Sequence, residues 1–128
     1  MAERGEIHSE FRARQLPIYK GLKWGKITPT DIDVGIDFGN RLFVFVELKY
    51  GNTKVPMGQR LFLERVCAAC QPRVPTCCLV ATHSSNGDID VKSALVVEYW
   101  HNYRWVEPST VCTVSEAIDK LREKYEIS

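Results

Sequence analysis

The sequence predicts one mixed α/β domain spanning residues 1–128, with a β-hairpin at its centre. Three observations support this class: the length suits a single domain, apolar side chains alternate at strand spacing after residue 31, and they recur at helical spacing near both ends. Hydrophobic content of 45% and charged content of 26% are typical of globular chains and exclude wholesale disorder. No apolar run approaches the roughly 20 residues of a membrane helix, so we expect no membrane-spanning segment.

The predicted elements follow the order α-β-β-α-β-β-α. Helices are identified by apolar residues three or four positions apart. Strands are identified by alternating apolar and polar residues, or by short apolar runs with turn-forming residues at both ends. The predicted helices cover residues 2–16 and 57–69, and a last helix begins after Ser115 as its N-cap. The predicted strands cover residues 31–36, 42–50, 76–82 and 91–100, with a further short pairing segment at 104–106.

Particular residues set the ends of these elements. Pro17 closes the first helix, because proline lacks the amide hydrogen that would continue it. Gly39 and Asn40 are typical of a tight hairpin turn between the first two strands. The near-continuous apolar run over residues 42–50 predicts a central strand that is covered on both faces.

The cysteines and the first ten residues indicate a reducing compartment. The chain begins with a charged segment that has no apolar core of a signal peptide, so we expect a cytoplasmic protein with reduced thiols. Cys67, Cys70, Cys77 and Cys78 could instead form a zinc centre. Buried thiols are favoured, because adjacent cysteines on a strand point to opposite faces and the other pair lies on the apolar side of a helix.

Positive charge flanks a short acidic segment. Residues 1–30 carry six Lys and Arg against three Glu, and residues 50–75 carry four against one, whereas residues 31–49 hold four carboxylates. Because polyanion affinity comes largely from cations that neutralise phosphates, this layout suits a metal site within a phosphate-binding surface, although charge distribution taken alone favours ordinary charge scatter. Five cations are candidates for contacting the phosphates of such a polyanion: Lys20, Lys23, Lys26, Lys54 and Arg60.

Four charged residues carry the chemistry of the predicted hairpin. Asp31 and Asp33 lie two apart on one strand, as do Glu47 and Lys49 on the next, so each pair shares a face. A tight turn between the strands would bring Asp33 beside Glu47. Two carboxylates on adjacent strands suit Mg²⁺, and a nearby ammonium can orient or activate an attacking water. The alternative is a surface hairpin in which Glu47 and Lys49 pair with each other.

This constellation resembles the PD-(D/E)XK nuclease superfamily, whose signature is an Asp, a spacer, and then Glu or Asp-x-Lys. The matching residues are Asp33 or Asp31, followed by Glu47 and Lys49, with 13 or 15 residues between the Asp and Glu47. The literal Pro-x-Asp of the signature ends at Asp31. Asp33 is nevertheless favoured as the metal ligand, because it lies nearer the turn and opposes Glu47 more naturally.

The resemblance covers roughly residues 2–83 and implies a restriction-endonuclease-like fold with an αβββαβ core and a C-terminal helix. Gln59 matches a Gln that the superfamily often has near the start of the following helix, and Glu10 matches by spacing a Glu of its first helix. The implied ligands of Mg²⁺ or Mn²⁺ are Asp33, Glu47, the backbone carbonyl of Leu48 and, optionally, Glu10. Lys49 and Gln59 would position the hydrolytic water, with Asp31 supporting the site.

The implied activity is hydrolysis of DNA phosphodiester bonds. A chain of 128 residues leaves little room for a base-reading domain, so selection by DNA structure is expected rather than sequence specificity. Small members of the superfamily include Holliday-junction resolvases and phage nucleases. The resemblance therefore implies a role in DNA repair, recombination or phage DNA processing in the cytoplasm of a bacterial or phage-infected host cell, and it allows a homodimer. The alternative is a catalytically silent nucleic-acid-binding or assembly module on the same fold.

Overall fold

The computed structural model describes residues 10–128, with side chains from residue 12 onwards. The described residues up to Thr30 belong to one compact unit, and residues 31–128 form another. In the first unit, helix α1 (Glu10–Ala13) ends before Pro17, and the earlier residues of the predicted first helix lie outside the described part. The chain after α1 is irregular, as expected, apart from an isolated bridge between Trp24 and Ile27.

Residues 31–128 build a five-stranded mixed sheet in the order β1-β2-β3-β4-β5. The strands are β1 (Val34–Asp37), β2 (Phe43–Tyr50), β3 (Thr76–His83), β4 (Leu95–His101) and β5 (Arg104–Val106). β2 and β3 are parallel and are connected by helix α2 (Met57–Cys70), whereas the other neighbouring pairs are antiparallel. Helix α3 (Val114–Lys124) follows β5. None of the helices described here is both long and apolar enough to cross a membrane.

The sheet separates two apolar cores. On one face, Val44 and Val46 of β2 belong to a core that side chains of α3 cover. On the other face, Leu63 and Cys67 of α2 pack with Trp100 of β4. Because successive strand residues point to opposite faces, the odd-numbered residues of β2 lie on the α2 face. That face therefore presents both charged residues of β2.

The hairpin between β1 and β2 forms as the sequence predicts. Gly39 and Asn40 have positive φ values of 62° and 64°, which glycine and asparagine adopt at lower cost than other residues. The amide of Asn40 also donates a hydrogen bond to Asp37 Oδ1 at 2.7 Å. The turn sets the register in which Val34 lies opposite Val46.

The mixed α/β class is confirmed, while the finer architecture differs from the expectation. Within residues 10–128, two strands precede α2, where the implied αβββαβ core has three. The middle strand of the sheet is β3 rather than β2. β2 is nevertheless an interior strand with both faces covered, as expected, since Val44 and Val46 belong to one core and Phe45 packs against the other. β3 is buried more completely, over its first six residues.

Two element boundaries were also predicted wrongly. Helix α3 is capped by Thr113 rather than by Ser115: the Thr113 side chain accepts a hydrogen bond from the Glu116 amide at 3.2 Å, and Glu116 Oε1 accepts one from the Thr113 amide at 2.9 Å. This is a capping box, which satisfies two free helix amides instead of one. The predicted strand at 91–100 begins only at Leu95, because Val91–Ser93 forms a short 3₁₀ helix.

Candidate metal centre

Asp33 and Glu47 come together through the register of the hairpin. Val34, the first residue of β1, pairs with Val46, so Asp33 just before Val34 and Glu47 just after Val46 adjoin this pair, and their carboxyl groups are close enough to interact. Asp33 Oδ2 accepts a hydrogen bond from the Leu48 amide at 2.8 Å, which extends the strand contact beyond the end of β1. The structure therefore brings together the two carboxylates that the sequence pairs.

Glu47 is a buried carboxylate that accepts one hydrogen bond from a described residue. Its side chain is 5% exposed, and Oε1 accepts a hydrogen bond from Gln59 Nε2 at 2.7 Å. Oε2 is buried and receives no hydrogen bond from a donor group of the described residues, so the carboxyl group of Asp33 can reach Glu47 only by sharing a proton with it. Burial raises the pKa of Glu47 to about 8, together with the charge of Asp33, a hydrogen bond with the Asp33 carboxyl group and then the charge of Asp31. An ionised Glu47 thus lacks a compensating positive charge, which a divalent cation would supply.

The donor atoms fit a hard divalent cation that retains water. Over the side chains described, no three His, Cys, Asp or Glu residues are grouped closely enough to hold a metal without other ligands. Mg²⁺ commonly takes only one or two carboxylates and completes its shell with water and substrate phosphate. Asp33 and Glu47 meet that requirement, and Oε2 of an ionised Glu47 is an oxygen that a cation could bind.

The backbone of Leu48 faces the same site. Its amide points to Asp33, and the N–H and C=O of one strand residue point to the same side of the strand, so its carbonyl is directed towards the β1 edge as well. The Leu48 side chain packs against the core on the opposite face of the sheet. The backbone carbonyl is therefore the group of this residue that can act as a ligand, as expected.

Lys49 lies on the same face as Glu47, because the two residues are two apart in β2. It is partly buried and neighbours Thr82 of β3 in the sheet. Within the described part of the chain, Lys49 forms no ion pair, so the alternative in which it pairs with Glu47 is not what the structure shows. Its ammonium group remains able to contact a water or a phosphate.

Gln59 connects α2 to the acidic residues. In addition to the bond with Glu47, its Nε2 donates to the backbone carbonyl of Asp31 at 3.3 Å. Asp31 is exposed and acts on Glu47 through its charge, whereas Asp33 is the aspartate that lies beside Glu47. Gln59 therefore holds one oxygen of Glu47 and leaves the other free.

Besides one arginine, the remaining predicted site residues are one glutamate and four lysines. The side chain of Glu10 lies outside the described residues. Lys20, Lys23 and Lys26 are exposed within the first unit, and Lys54 is exposed in the loop between β2 and α2. Their contact with DNA stays a prediction.

Arg60 is held by protein groups, which the sequence analysis did not anticipate. Its two terminal nitrogens donate to the carboxylate of Glu98, with Nη2 at 3.0 Å from Oε2, and its guanidinium lies 4.2 Å from the centre of the Trp105 ring. A guanidinium that is bonded in this bidentate way is not a free phosphate ligand. We therefore leave Arg60 out of the proposed DNA-binding set.

Glu98 is the residue near the site that sequence reasoning missed. Val80 of β3 pairs with Glu47 on one side and with Glu98 on the other, so the two carboxylates belong to one row across the sheet. A usable signal was present, because Glu98 interrupts an apolar strand just as Glu47 does. Only the position of β4 next to β3 shows that it meets Arg60.

The thiols are distributed as the strand geometry predicts. Cys77 belongs to the core under α3, whereas Cys78 packs with Cys67 in the core under α2. Burial raises the pKa of the Cys77 thiol, and a hydrogen bond with Cys67 together with burial raises that of Cys78. Protonated thiols of this kind are poor metal ligands.

Replacing Cys67 and Cys70 with alanine and Cys77 and Cys78 with valine should leave metal-dependent cleavage intact. We expect a loss of about 1–3 kcal/mol in the free energy of unfolding from imperfect repacking, measured by urea denaturation. Elemental analysis of the purified native protein is the companion measurement. Stoichiometric zinc that disappears together with activity in this variant would contradict the assignment of buried thiols.

Comparison of the chain with protein-family models, with curated proteins and with solved structures finds no match.

Proposed function

We propose that this protein is a divalent-metal-dependent nuclease that hydrolyses DNA phosphodiester bonds and selects its substrate by DNA structure. The observation that carries the proposal is the buried carboxylate of Glu47, which lies beside Asp33. Its Oε2 receives no hydrogen bond from a donor group of the described residues. Lys49 follows two residues later on the same face without an ion-pair partner in the described chain. In a purely structural hairpin, a buried carboxylate without a cation and a nearby unpaired lysine would only lower stability.

In the proposed mechanism, some residues bind the cation and others position its ligand or the hydrolytic water. Asp33, Glu47 and the Leu48 carbonyl would hold Mg²⁺ or Mn²⁺, which when bound lowers the pKa of water and offsets charge on the phosphate. Gln59 keeps Oε1 of Glu47 in place. The ammonium of Lys49 orients the hydrolytic water and stabilises negative charge on the phosphoryl oxygens. Below a pH of about 8, Glu47 must release a proton before it can bind a cation.

A panel of DNA substrates tests the proposal. Linear, flapped, nicked and four-way DNA are incubated with the protein and Mg²⁺ or Mn²⁺, with EDTA and the Glu47→Gln variant as controls. We expect cleavage of at least one substrate that depends on both the metal and Glu47. DNA binding without any carboxylate-dependent metal site would instead indicate the silent binding module, and metal-independent cleavage would refute the proposed site.

Charge reversal at two lysines tests how DNA is held. Lys23→Glu with Lys26→Glu should weaken binding of DNA of any sequence, because fewer phosphates are neutralised and fewer counterions are released. The slope of log affinity against log salt should fall by about one for each phosphate that is no longer neutralised, measured by fluorescence anisotropy between roughly 50 and 200 mM salt. Metal affinity should stay nearly unchanged, because neither lysine is among the proposed ligands of the cation.

The matched control reverses Lys120 and Lys124, two exposed lysines of α3. It changes the net charge by the same amount but does so on a helix that packs against the face opposite Glu47. Equal losses of DNA affinity in the two double variants would show that only overall charge matters. An unchanged salt slope in the first variant would place the DNA path elsewhere.

A further inference from the structure

The first turn of α2, which carries Gln59, has few contacts of its own. The N-cap residue Pro56 forms no side-chain cap, and Met57 is 68% exposed. Gly58 faces open space, with no atom within 4 Å of a Cβ built on it. The first fully buried residue of the helix is Leu63, more than one turn further on. Packing alone therefore leaves the start of α2 weakly held.

Besides the two hydrogen bonds of Gln59, the first turn is held by the contacts of Arg60. Arg60 bonds the Glu98 carboxylate on β4 through both terminal nitrogens and lies over the ring of Trp105 on β5. Trp105 is fixed in turn, because its Nε1 donates to Glu64 Oε1 of α2 at 3.0 Å. A bidentate, partly buried pair of this kind is stronger and more directional than an exposed ion pair.

Gln59 and Arg60 bind the two ends of one row of residues across the sheet, formed by Glu47, Val80 and Glu98. Val80 lies between Glu47 and Glu98, so these carboxylates stand on strands about 10 Å apart at the usual strand spacing. Gln59 reaches the first and Arg60 reaches the second. Because the two are consecutive residues of one helix, rotation or lifting of the first turn would disturb both contacts together.

We infer that Arg60 is a positioning residue that aims Gln59 at Glu47. By tying the start of α2 to Glu98 and Trp105, it keeps Gln59 on Oε1 of Glu47 and so leaves Oε2 facing the cation position. The consequence for metal binding rests on the proposed function. The coupling between Arg60 and Gln59 rests on the contacts of the metal-free protein alone.

The first test observes Gln59 in the absence of metal. In Arg60→Met, the side-chain amide resonance of Gln59 in ¹H–¹⁵N NMR spectra should move towards the position of a free glutamine amide. Arg122→Met is the matched control, since Arg122 also lies over an aromatic ring, that of Phe38, and near a carboxylate, but on α3. The control should leave the Gln59 resonance in place even if it lowers the melting temperature equally.

The second test is a double-mutant cycle on Mn²⁺ affinity. Arg60→Met should raise the Mn²⁺ Kd about tenfold in the wild-type background, the usual effect of losing a group that orients a ligand. In the Gln59→Leu background, the same substitution should change Kd by less than about twofold, because there is no amide left to aim. Equal effects in both backgrounds, or an unmoved Gln59 resonance, overturn the inference.

Failure of the inference and failure of the proposed function give different results. If the wild type binds no Mn²⁺ and cuts no DNA while Gln59 still responds to Arg60→Met, the nuclease proposal fails and the positioning role stands. If metal binding and cleavage are present but Gln59 does not respond, the reverse holds. Should Arg60→Met fail to fold, Glu98→Gln retains a neutral acceptor for Arg60 and should shift the Gln59 resonance in the same direction by a smaller amount.

Discussion

Replacing Glu47 with alanine or glutamine should abolish both metal binding and metal-dependent DNA cleavage. The side chain is buried beside Asp33 with Oε2 lacking a hydrogen-bond donor among the described residues, so neither replacement can supply the negative oxygen that a cation requires. Isothermal titration with Mn²⁺ and the cleavage assay measure the two losses. Glu47→Gln has nearly the same shape as the native residue, which separates loss of charge from loss of packing. Cleavage at the native rate by either variant would refute the site.

Glu47→Gln should also change how the free energy of unfolding depends on pH in the metal-free protein. The pKa of Glu47 is raised from 4.5 to about 8 in the folded state, so the folded protein holds this proton more tightly than the unfolded chain does. Its contribution to stability is complete below pH 4.5 and is lost as the pH rises through about 8. Urea denaturation should therefore show a decline between those limits that Glu47→Gln lacks, and Mn²⁺ should restore wild-type stability at high pH.

Asp33→Ala should have the same effect on metal binding and cleavage as Glu47→Ala. Asp33 is the aspartate beside Glu47, whereas Asp31 contacts Gln59 only through its backbone carbonyl. Asp31→Ala should therefore reduce activity less. A larger loss with Asp31→Ala would show that the literal Pro-x-Asp aspartate is the ligand.

Lys49→Ala should abolish cleavage while metal affinity stays close to that of the wild type. An ammonium cannot ligate a cation, but on the same face as Glu47 it can orient water and stabilise charge on a phosphate. Titration with Mn²⁺ and single-turnover cleavage measure the two properties separately. Lys92→Ala serves as the control, because Lys92 is an exposed lysine that pairs with Asp90.

Two other outcomes for Lys49 would be informative. Cleavage by Lys49→Ala at the rate of the control would remove the lysine from the mechanism. Loss of metal binding in this variant would mean that Lys49 shapes the carboxylates instead of acting on the water. The expected split between retained binding and lost cleavage distinguishes this site from a structural ion pair.

The hairpin and its paired acids were predictable because local rules govern them. Alternation in β1 assigns the faces, and a Gly-Asn turn sets the register that brings Asp33 beside Glu47. These features depend on residues close in sequence. The cap of α3 was equally local, since Thr113 and Glu116 form a capping box, and here the prediction of Ser115 overlooked a signal that was present.

By itself, the sequence determined the mixed α/β class, the hairpin, the shared face of Glu47 and Lys49, and the opposite faces of Cys77 and Cys78. Each follows from a period of two or from a turn, which act over a few residues. Only the tertiary structure decided that β3 is the middle strand, that one oxygen of Glu47 is buried without a hydrogen-bond donor among the described residues, and that Arg60 binds Glu98. These features depend on which distant segments pack together, because burial and long-range pairing arise from the arrangement of the whole sheet and not from any local pattern.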